Sequence, residues 1–358
     1  MKKNIISLEI LNNLRIHDNS DIPDLEIVVT ISDAPFAAKG DMSVIGGKEK
    51  AGKTSIAIFI LATALIKVIT PGMDTLNIRA TYAGDKDVVY IDTEQSKSST
   101  KKLVQNVKRF LGSEDLPPNF YAYNIRSLYK SEDKKEALLK LFEKHQDAHL
   151  WVIDGIADFV ADPNLPEPSN ELIALLMSTA EKQNTCIIPF VHENPGLSTK
   201  FRGNLGSELQ RKCFGAVGIK KDKDKKVHSL EARLLRCSGD FDEIYFRYDK
   251  EKGRMVSLNN QESEEYKQDK NGEKKKQELR YKLADQCLLN GSERIGYKEF
   301  TRRIINHALS IEGKKISETT AKNRLKDMIE YEIIEKDNKN KYRLIPKKEE
   351  STSVGRKS

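Results

Sequence analysis

Short apolar runs rich in β-branched residues alternate with longer amphipathic stretches through the middle of the chain. Between residues 42 and 258 the runs at 42–45, 88–91, 150–153 and 186–191 predict strands, and the stretches at 53–69, 99–111, 134–145 and 170–183 predict helices. Apolar runs bounded by polar turns suit strands buried on both faces, and helices between them imply crossover units in a mostly parallel sheet. After Cys213 the pattern changes to strand-like runs at 216–220, 229–235 and 243–248, which predicts an antiparallel extension.

The flanks read differently. Residues 1–35 are mixed, with one strand-like run at 25–31, and read as an N-terminal arm ahead of an α/β domain spanning 36–258. Residues 259–276 (NNQESEEYKQDKNGEKKK) have almost no apolar side chains, cannot bury a core and read as a charged, solvated linker, with an exposed surface helix as the alternative. Periodicity returns over 277–346, with helices at 278–289, 298–309 and 317–331. Strands follow at 333–336 and 341–345, turned by Asp337-Asn338-Lys339-Asn340. Three helices closed by a β-hairpin make a winged-helix pattern. The polar tail 347–358 is expected to be disordered.

Composition narrows the class. The 358 residues are 38% hydrophobic and 32% charged, as in a well-solvated globular protein. Cys186, Cys213, Cys237 and Cys287 lie far apart, without CxxC or Cys/His zinc spacing, and are expected to stay reduced. Met1-Lys2-Lys3 is not followed by an apolar run of signal-peptide length, and no stretch is long enough to cross a bilayer. A cytoplasmic protein without a membrane partner is therefore expected. The net charge of +7 acquires meaning once located: residues 274–358 hold 22 Lys and Arg against 13 Asp and Glu, a larger surplus than the whole chain's.

The chemistry begins at Gly47-Lys48-Glu49-Lys50-Ala51-Gly52-Lys53-Thr54, which fits G-x-x-x-x-G-K-[ST] between a predicted strand and an apolar helix opening at Ser55. Glycines let such a loop curl until its N–H groups converge on phosphate oxygens, and the helix dipole adds to the attraction. The pattern predicts ATP and Mg²⁺ as cofactors, with Lys53 on the β/γ-phosphates and the Thr54 hydroxyl on the metal. Lys48 and Lys50 either add attraction for phosphate or are simply solvated. Asp154, ending the apolar run from His149, supplies a carboxylate for the magnesium shell or else caps a strand-to-loop turn. Asp92 and Glu94 end another strand on one face; Glu94 is the candidate general base or water-orienting group, Asp92 a structural residue.

In this order, Gly-Asp-Met-Ser-Val-Ile-Gly-Gly through Gly-Lys-Thr-Ser, then Tyr-Ile-Asp-Thr-Glu-Gln-Ser, then Val-Ile-Asp, the chain resembles the RecA-fold P-loop ATPases over residues 33–248. Within them it is most similar to the branch holding RepA-type and DnaB-type hexameric replicative helicases. The resemblance implies a RecA-like α/β core and assigns Glu94 as catalytic glutamate, Asp154 as magnesium-side aspartate and His192 as sensor of the γ-phosphate, with a hydrogen-bonded structural role the alternative for His192. It also implies an arginine finger reaching a neighbouring subunit from Leu234-Leu235-Arg236-Cys237-Ser238-Gly239, with Arg236 first and Arg233 the alternate; the family's Lys–Arg pairing is not reproduced there.

Two loops, 158–169 and the glycine-rich 194–207 with Lys200 and Arg202, match those that hold single-stranded DNA in the family. Thr319, Lys322, Asn323 and Lys326 share the face of the presumed recognition helix, positioned for base edges and phosphates of duplex DNA, and Lys339, Lys341 and Arg343 lie on the wing. The expectation is a homo-oligomeric DNA motor, a hexameric ring or filament, of the kind that replicates plasmids and other mobile elements. A recombination mediator, or a DNA-binding regulator using ATP as a switch, are the alternatives.

Overall fold

The computed structural model describes residues 7–194 and 200–346. The chain divides between Leu258 and Asn259 into two units, each with its own core.

In the first unit, α1 (Leu8–Asn13) is capped by the Ser7 hydroxyl and buries no side chain. Then come β1 (Ile27–Ile31), β2 (Ala34–Ala38), β3 (Val44–Gly47), α2 (Lys53–Leu65), β4 (Ile78–Ala80), β5 (Val88–Asp92) and α3 (Lys97–Leu111). They are followed by β6 (Phe120–Asn124), α4 (Ser131–Lys144), β7 (Leu150–Asp154), a 3-10 turn (Ile156–Phe159), α5 (Pro166–Gln183), β8 (Cys186–His192) and α6 (Gly203–Lys212). Four strands close the unit: β9 (Gly215–Lys221), β10 (Val227–Leu235), β11 (Ile244–Asp249) and β12 (Arg254–Ser257).

Nine of these strands form one sheet in the order β12-β11-β10-β9-β3-β8-β7-β5-β6. It is parallel from β9 to β6 and antiparallel from β9 to β12. The fold is thus α/β, with a large, mostly parallel mixed sheet flanked by helices. β7 shows why its run reads as uniformly apolar: Leu150 and Val152 face the core under α2 and α3, while Trp151 and Ile153 face that under α4, α5 and α6. β1, β2 and β4 make a small antiparallel sheet against the first of these cores. The strand expected at 25–31 is thus observed from Ile27 onward and packed, while Leu25 and Glu26 are exposed.

α2 stops at Leu65, short of the expected 69, with Ile66 already extended. Val68, Ile69 and Thr70 are β-branched and Pro71 follows, a sequence that disfavours further helix. Loop 194–207 is only partly a loop, because α6 begins at Gly203.

The second unit contains α7 (Asn260–Cys287), β13 (Ile295–Gly296), α8 (Tyr297–Glu312), α9 (Glu318–Glu330), β14 (Ile334–Lys336) and β15 (Lys341–Leu344). Segment 259–276, expected to be a linker, is the first part of α7. Its composition forbids a core but not a helix: Asn259 and Glu262 form a reciprocal capping box, and Glu, Lys and Gln are good helix formers. Burial starts only at Arg280, Leu283, Ala284 and Cys287, which pack with Phe300, Ile304, Leu325 and Met328 from α8 and α9. The strands form an antiparallel sheet in the order β13-β15-β14. The tail 347–358 lies outside the described residues. Among those described, no helix is long and apolar enough to cross a membrane.

Candidate functional site

Parallel strands deliver their polar C-terminal residues to one edge of the sheet. β8 stands between β3 and β7, so its last residue, His192, lies between the loop after β3 and the carboxylates after β5 and β7. The loop 47–54 runs from the end of β3 into the first turn of α2, with Gly52 as N-cap at φ +108° and Lys50 also left-handed at +58°. A Cβ at Gly47 would lie 2.9 Å from the Ile219 carbonyl, so β9 holds the loop's first residue close. Lys48, Glu49 and Lys50 are exposed at its tip, and Ala51 is buried. Ser55 borders a cavity of about 500 Å³ shared with Phe59, Arg109, Phe110, Tyr248 and Arg254.

Lys53 is buried. Its ammonium donates to the Gly47 carbonyl at 3.0 Å and to His192 Nδ1 at 3.1 Å. An ammonium can only donate, so Nδ1 accepts and the imidazole proton sits on Nε2, which donates to Glu94 Oε2 at 3.3 Å. Lys53, His192 and Glu94 thus form a continuous hydrogen-bonded chain across the sheet edge. Burial lowers the Lys53 pKa, partly offset by Asp154, Glu94 and Glu193. The His192 hydrogen bond, with help from nearby positive charge, holds the Glu94 carboxyl below its ordinary range.

Thr54 and Asp154 meet on the other side of Lys53, the Thr54 hydroxyl donating to Asp154 Oδ2 at 3.5 Å. Asp154 is only 4% exposed, and burial, reinforced by Glu94 and Asp92, pushes its pKa up to about 6. Tyr90 Oη donates to the same carboxylate oxygen at 3.2 Å. The Gln95 amide donates to it at 3.3 Å and to Thr54 Oγ1 at 3.0 Å. Asp92 has the structural place expected of it, accepting from the backbone N–H groups of Glu94 and Gln95 and from the Thr100 hydroxyl, and so shaping the turn that aims Glu94.

Sequence reasoning missed several supporting residues. His228, on β10, donates from Nδ1 to the Ala51 carbonyl at 2.6 Å and stacks on Phe246, clamping the loop from the antiparallel side. Gln95 follows Glu94 and Tyr90 stands two residues before Asp92, and only that proximity could have flagged them. Arg233, the alternate finger, is committed within its own chain to Glu193 at 3.0 Å and Glu231 at 2.6 Å.

Arg236 is not brought to these groups. β10 runs antiparallel to β9, so its end lies at the opposite edge of the sheet, where Arg236 N–H donates to the Phe214 carbonyl and its exposed side chain to the Arg211 carbonyl. The loop after β8 does reach the site: Arg202 N–H donates to the His192 carbonyl at 2.7 Å, leaving the Arg202 side chain exposed, as is Lys200. Phe201 between them is fully buried, over Gly46 and against Gly206. Gly46 and Gly206 therefore give the buried Phe201 its space. Residues 195–199 of that loop lie outside the description.

In the second unit Lys322, Asn323 and Lys326 are exposed along α9, opposite the buried Ala321, Leu325 and Met328, and Lys322 pairs with Glu318 at 2.8 Å. Lys339, Lys341 and Arg343 are exposed on the β14–β15 hairpin.

A scan against protein-family models finds no match for this chain, and a search of curated proteins finds none.

Proposed function

We propose that this chain is a P-loop ATPase of the RecA type that hydrolyses Mg·ATP to drive movement on single-stranded DNA. The observation that carries the reading is the chain Lys53–His192–Glu94, with Thr54 and Asp154 beside it, at the carboxyl edge of a parallel sheet. Crevices at that edge are where α/β sheets bind ligands.

The donor set suits magnesium. Among the described residues no group of three or more His, Cys, Asp or Glu could hold a metal by itself. Magnesium needs no such cage, since it usually takes one or two carboxylates together with substrate phosphates and water. The Thr54 hydroxyl and the Asp154 carboxyl, whose pKa is raised by burial and then by neighbouring Glu94 and Asp92, would hold it. When bound, the ion supplies charge neutralisation on the β- and γ-phosphates. Lys53 adds a second positive charge on the same oxygens. Glu94, kept ionised by the His192 proton, accepts from the attacking water and orients it. His192 touches both Lys53 and Glu94, so a change at the phosphate end reaches the carboxylate through one ring. The cavity beside Ser55 offers room for the base.

The DNA reading rests on Arg202, whose backbone is bonded to His192 and whose side chain faces solvent with that of Lys200. DNA held there is one bond from the group that touches Glu94. The second unit reads as a winged helix, with Lys322, Asn323 and Lys326 of α9 toward duplex DNA. The placement of Arg236 far from its own Lys53 supports sites shared between subunits, in a hexameric ring or filament of a plasmid- or mobile-element-type replicative helicase. The test is ATP turnover with and without single-stranded DNA. Wild type is expected to be stimulated and Lys53→Ala to be inactive; a wild-type rate unchanged by DNA contradicts the motor reading.

A further inference from the structure

Lysine is among the residues least often buried, and a buried ammonium must be paired. Lys134, in the first turn of α4, is 8% exposed, and its ammonium lies 2.8 Å from Asp158 Oδ2. Asp158 sits in the 3-10 turn that follows Asp154 and Gly155. That turn is pressed against the residues that carry Glu94. Gly155 adopts φ +94°, and a Cβ there would lie 2.1 Å from Thr93 Oγ1 and 2.8 Å from Glu94 Cγ. The Thr93 hydroxyl donates to the carbonyls of both Asp154 and Gly155, at 3.2 and 3.0 Å. Lys134 and Asp158 also line, with His192 and Arg202, a cavity of about 390 Å³ on the other side of the histidine.

We propose that Lys134 is a positioning residue for Glu94, acting through its ion pair with Asp158 on the turn that abuts Thr93 and Glu94. The inference rests on the reading of Glu94 as the group that orients water. The pair ties α4 to the turn; the turn, through Gly155 and the two Thr93 hydrogen bonds, fixes where the Glu94 carboxylate stands. The Lys134 charge acts in the same sense, as one of the positive charges, after the His192 hydrogen bond, that favour ionised Glu94. α4 carries no other group the reaction uses, which gives its single buried charge a purpose beyond packing.

The experiment is steady-state ATP hydrolysis by the full chain for wild type, Glu94→Gln, Lys134→Met, Lys134→Arg and Asp158→Asn, with kcat and KM separated. Lys134→Met keeps the length and apolar stem of the side chain, and Asp158, whose side chain is 36% exposed, can be solvated when left alone, so folding is preserved. Misplacing a catalytic group by a fraction of its working distance costs about tenfold to a hundredfold in rate. Lys134→Met and Asp158→Asn are expected to lose kcat by about that factor with KM for ATP within about twofold, and Lys134→Arg to recover kcat to within about threefold of wild type. A space-filling role predicts the reverse order, Met active and Arg not, and would overturn the proposal. So would wild-type kcat in Asp158→Asn, a variant that tests the pair even if Lys134→Met does not fold. If wild type fails to hydrolyse ATP, or Glu94→Gln is as fast as wild type, the underlying ATPase reading fails; if those hold and only the Lys134 and Asp158 variants are unaffected, this inference alone fails.

Discussion

Phe201 and Gly46 form a contact whose energetic coupling can be worked out in advance. The Phe201 ring fills the space over Gly46: a Cβ added there would lie 1.9, 2.4 and 2.6 Å from three ring atoms. Neither side can yield cheaply, because β3 is pinned between β8 and β9 and Phe201 is fully buried. Gly46→Ala overpacks the site and is expected to cost about 1–3 kcal/mol. Phe201→Ala removes a buried ring and leaves a cavity, costing about 3–5 kcal/mol. In the double variant the new methyl enters the space the ring has left, so the combined cost falls below the sum by about 1 kcal/mol or more. Trp151, the single tryptophan, is buried in the core of the first unit, so its fluorescence in a urea titration follows that unit without interference from the second. Additivity within about 0.5 kcal/mol would refute the account of why glycine stands at 46 and of how the loop bearing Arg202 is anchored.

Asp154 carries a second stability prediction. Its pKa is raised from 3.8 to about 6, so its contribution to stability is fully present below about pH 4 and is lost as pH rises through 6. At pH 7 the ionised carboxylate therefore costs on the order of 3 kcal/mol. Asp154→Asn is expected to stabilise the first unit at pH 7 in EDTA by up to about that amount, with no gain at pH 4, while abolishing magnesium-dependent turnover; equal urea midpoints at pH 7 would disprove it. In the second unit Arg280 is 2% exposed and ion-paired to both Asp327 and Glu312. Arg280→Met leaves Glu312 with Arg324, and Asp327 with Arg324 and Lys276, and should destabilise α7–α9 by about 1.5–3 kcal/mol, read by amide hydrogen exchange in the full chain; unchanged protection would contradict it. Finally, Arg236→Ala should lose ATP turnover with nucleotide affinity intact, and mixing it with Lys53→Ala should restore part of the rate, since some shared sites then hold both groups. No recovery on mixing would argue against Arg236 acting in a neighbour.

The site's own residues were legible because they obey local rules. A glycine-rich loop between an apolar strand and helix, and acids at the ends of apolar strands, mark one edge of a parallel sheet whatever the order of strands. What surrounds them was not, because it comes from tertiary neighbours. His228 reaches the loop from β10, 177 residues away in sequence, and Lys134 reaches Asp158, 24 residues on and beyond β7. Neither has a spacing that could announce it. The half-buried edge strand β6 lacks the uniform burial that made β5 and β7 readable. For segment 259–276 polarity excludes a core but leaves linker and solvated helix both open; the structure takes the helix, and the capping box at Asn259 and Glu262 is the local signal that favours it. In loop 194–207, Gly206 makes room for Phe201 and Gly203 turns at φ +74° beside the Pro163 carbonyl, packing roles that composition alone does not show.

The central claim is that one carboxylate, reached from Lys53 through a histidine, orients water against a bound triphosphate. It is tested most directly by comparing wild type and Glu94→Gln for Mg·ATP binding by titration calorimetry and for phosphate release. The account predicts affinities within about threefold of each other and a turnover at least about 100-fold lower in the variant, the loss expected when a general base is removed. Absence of binding in wild type, or equal phosphate release by the two proteins, would contradict it.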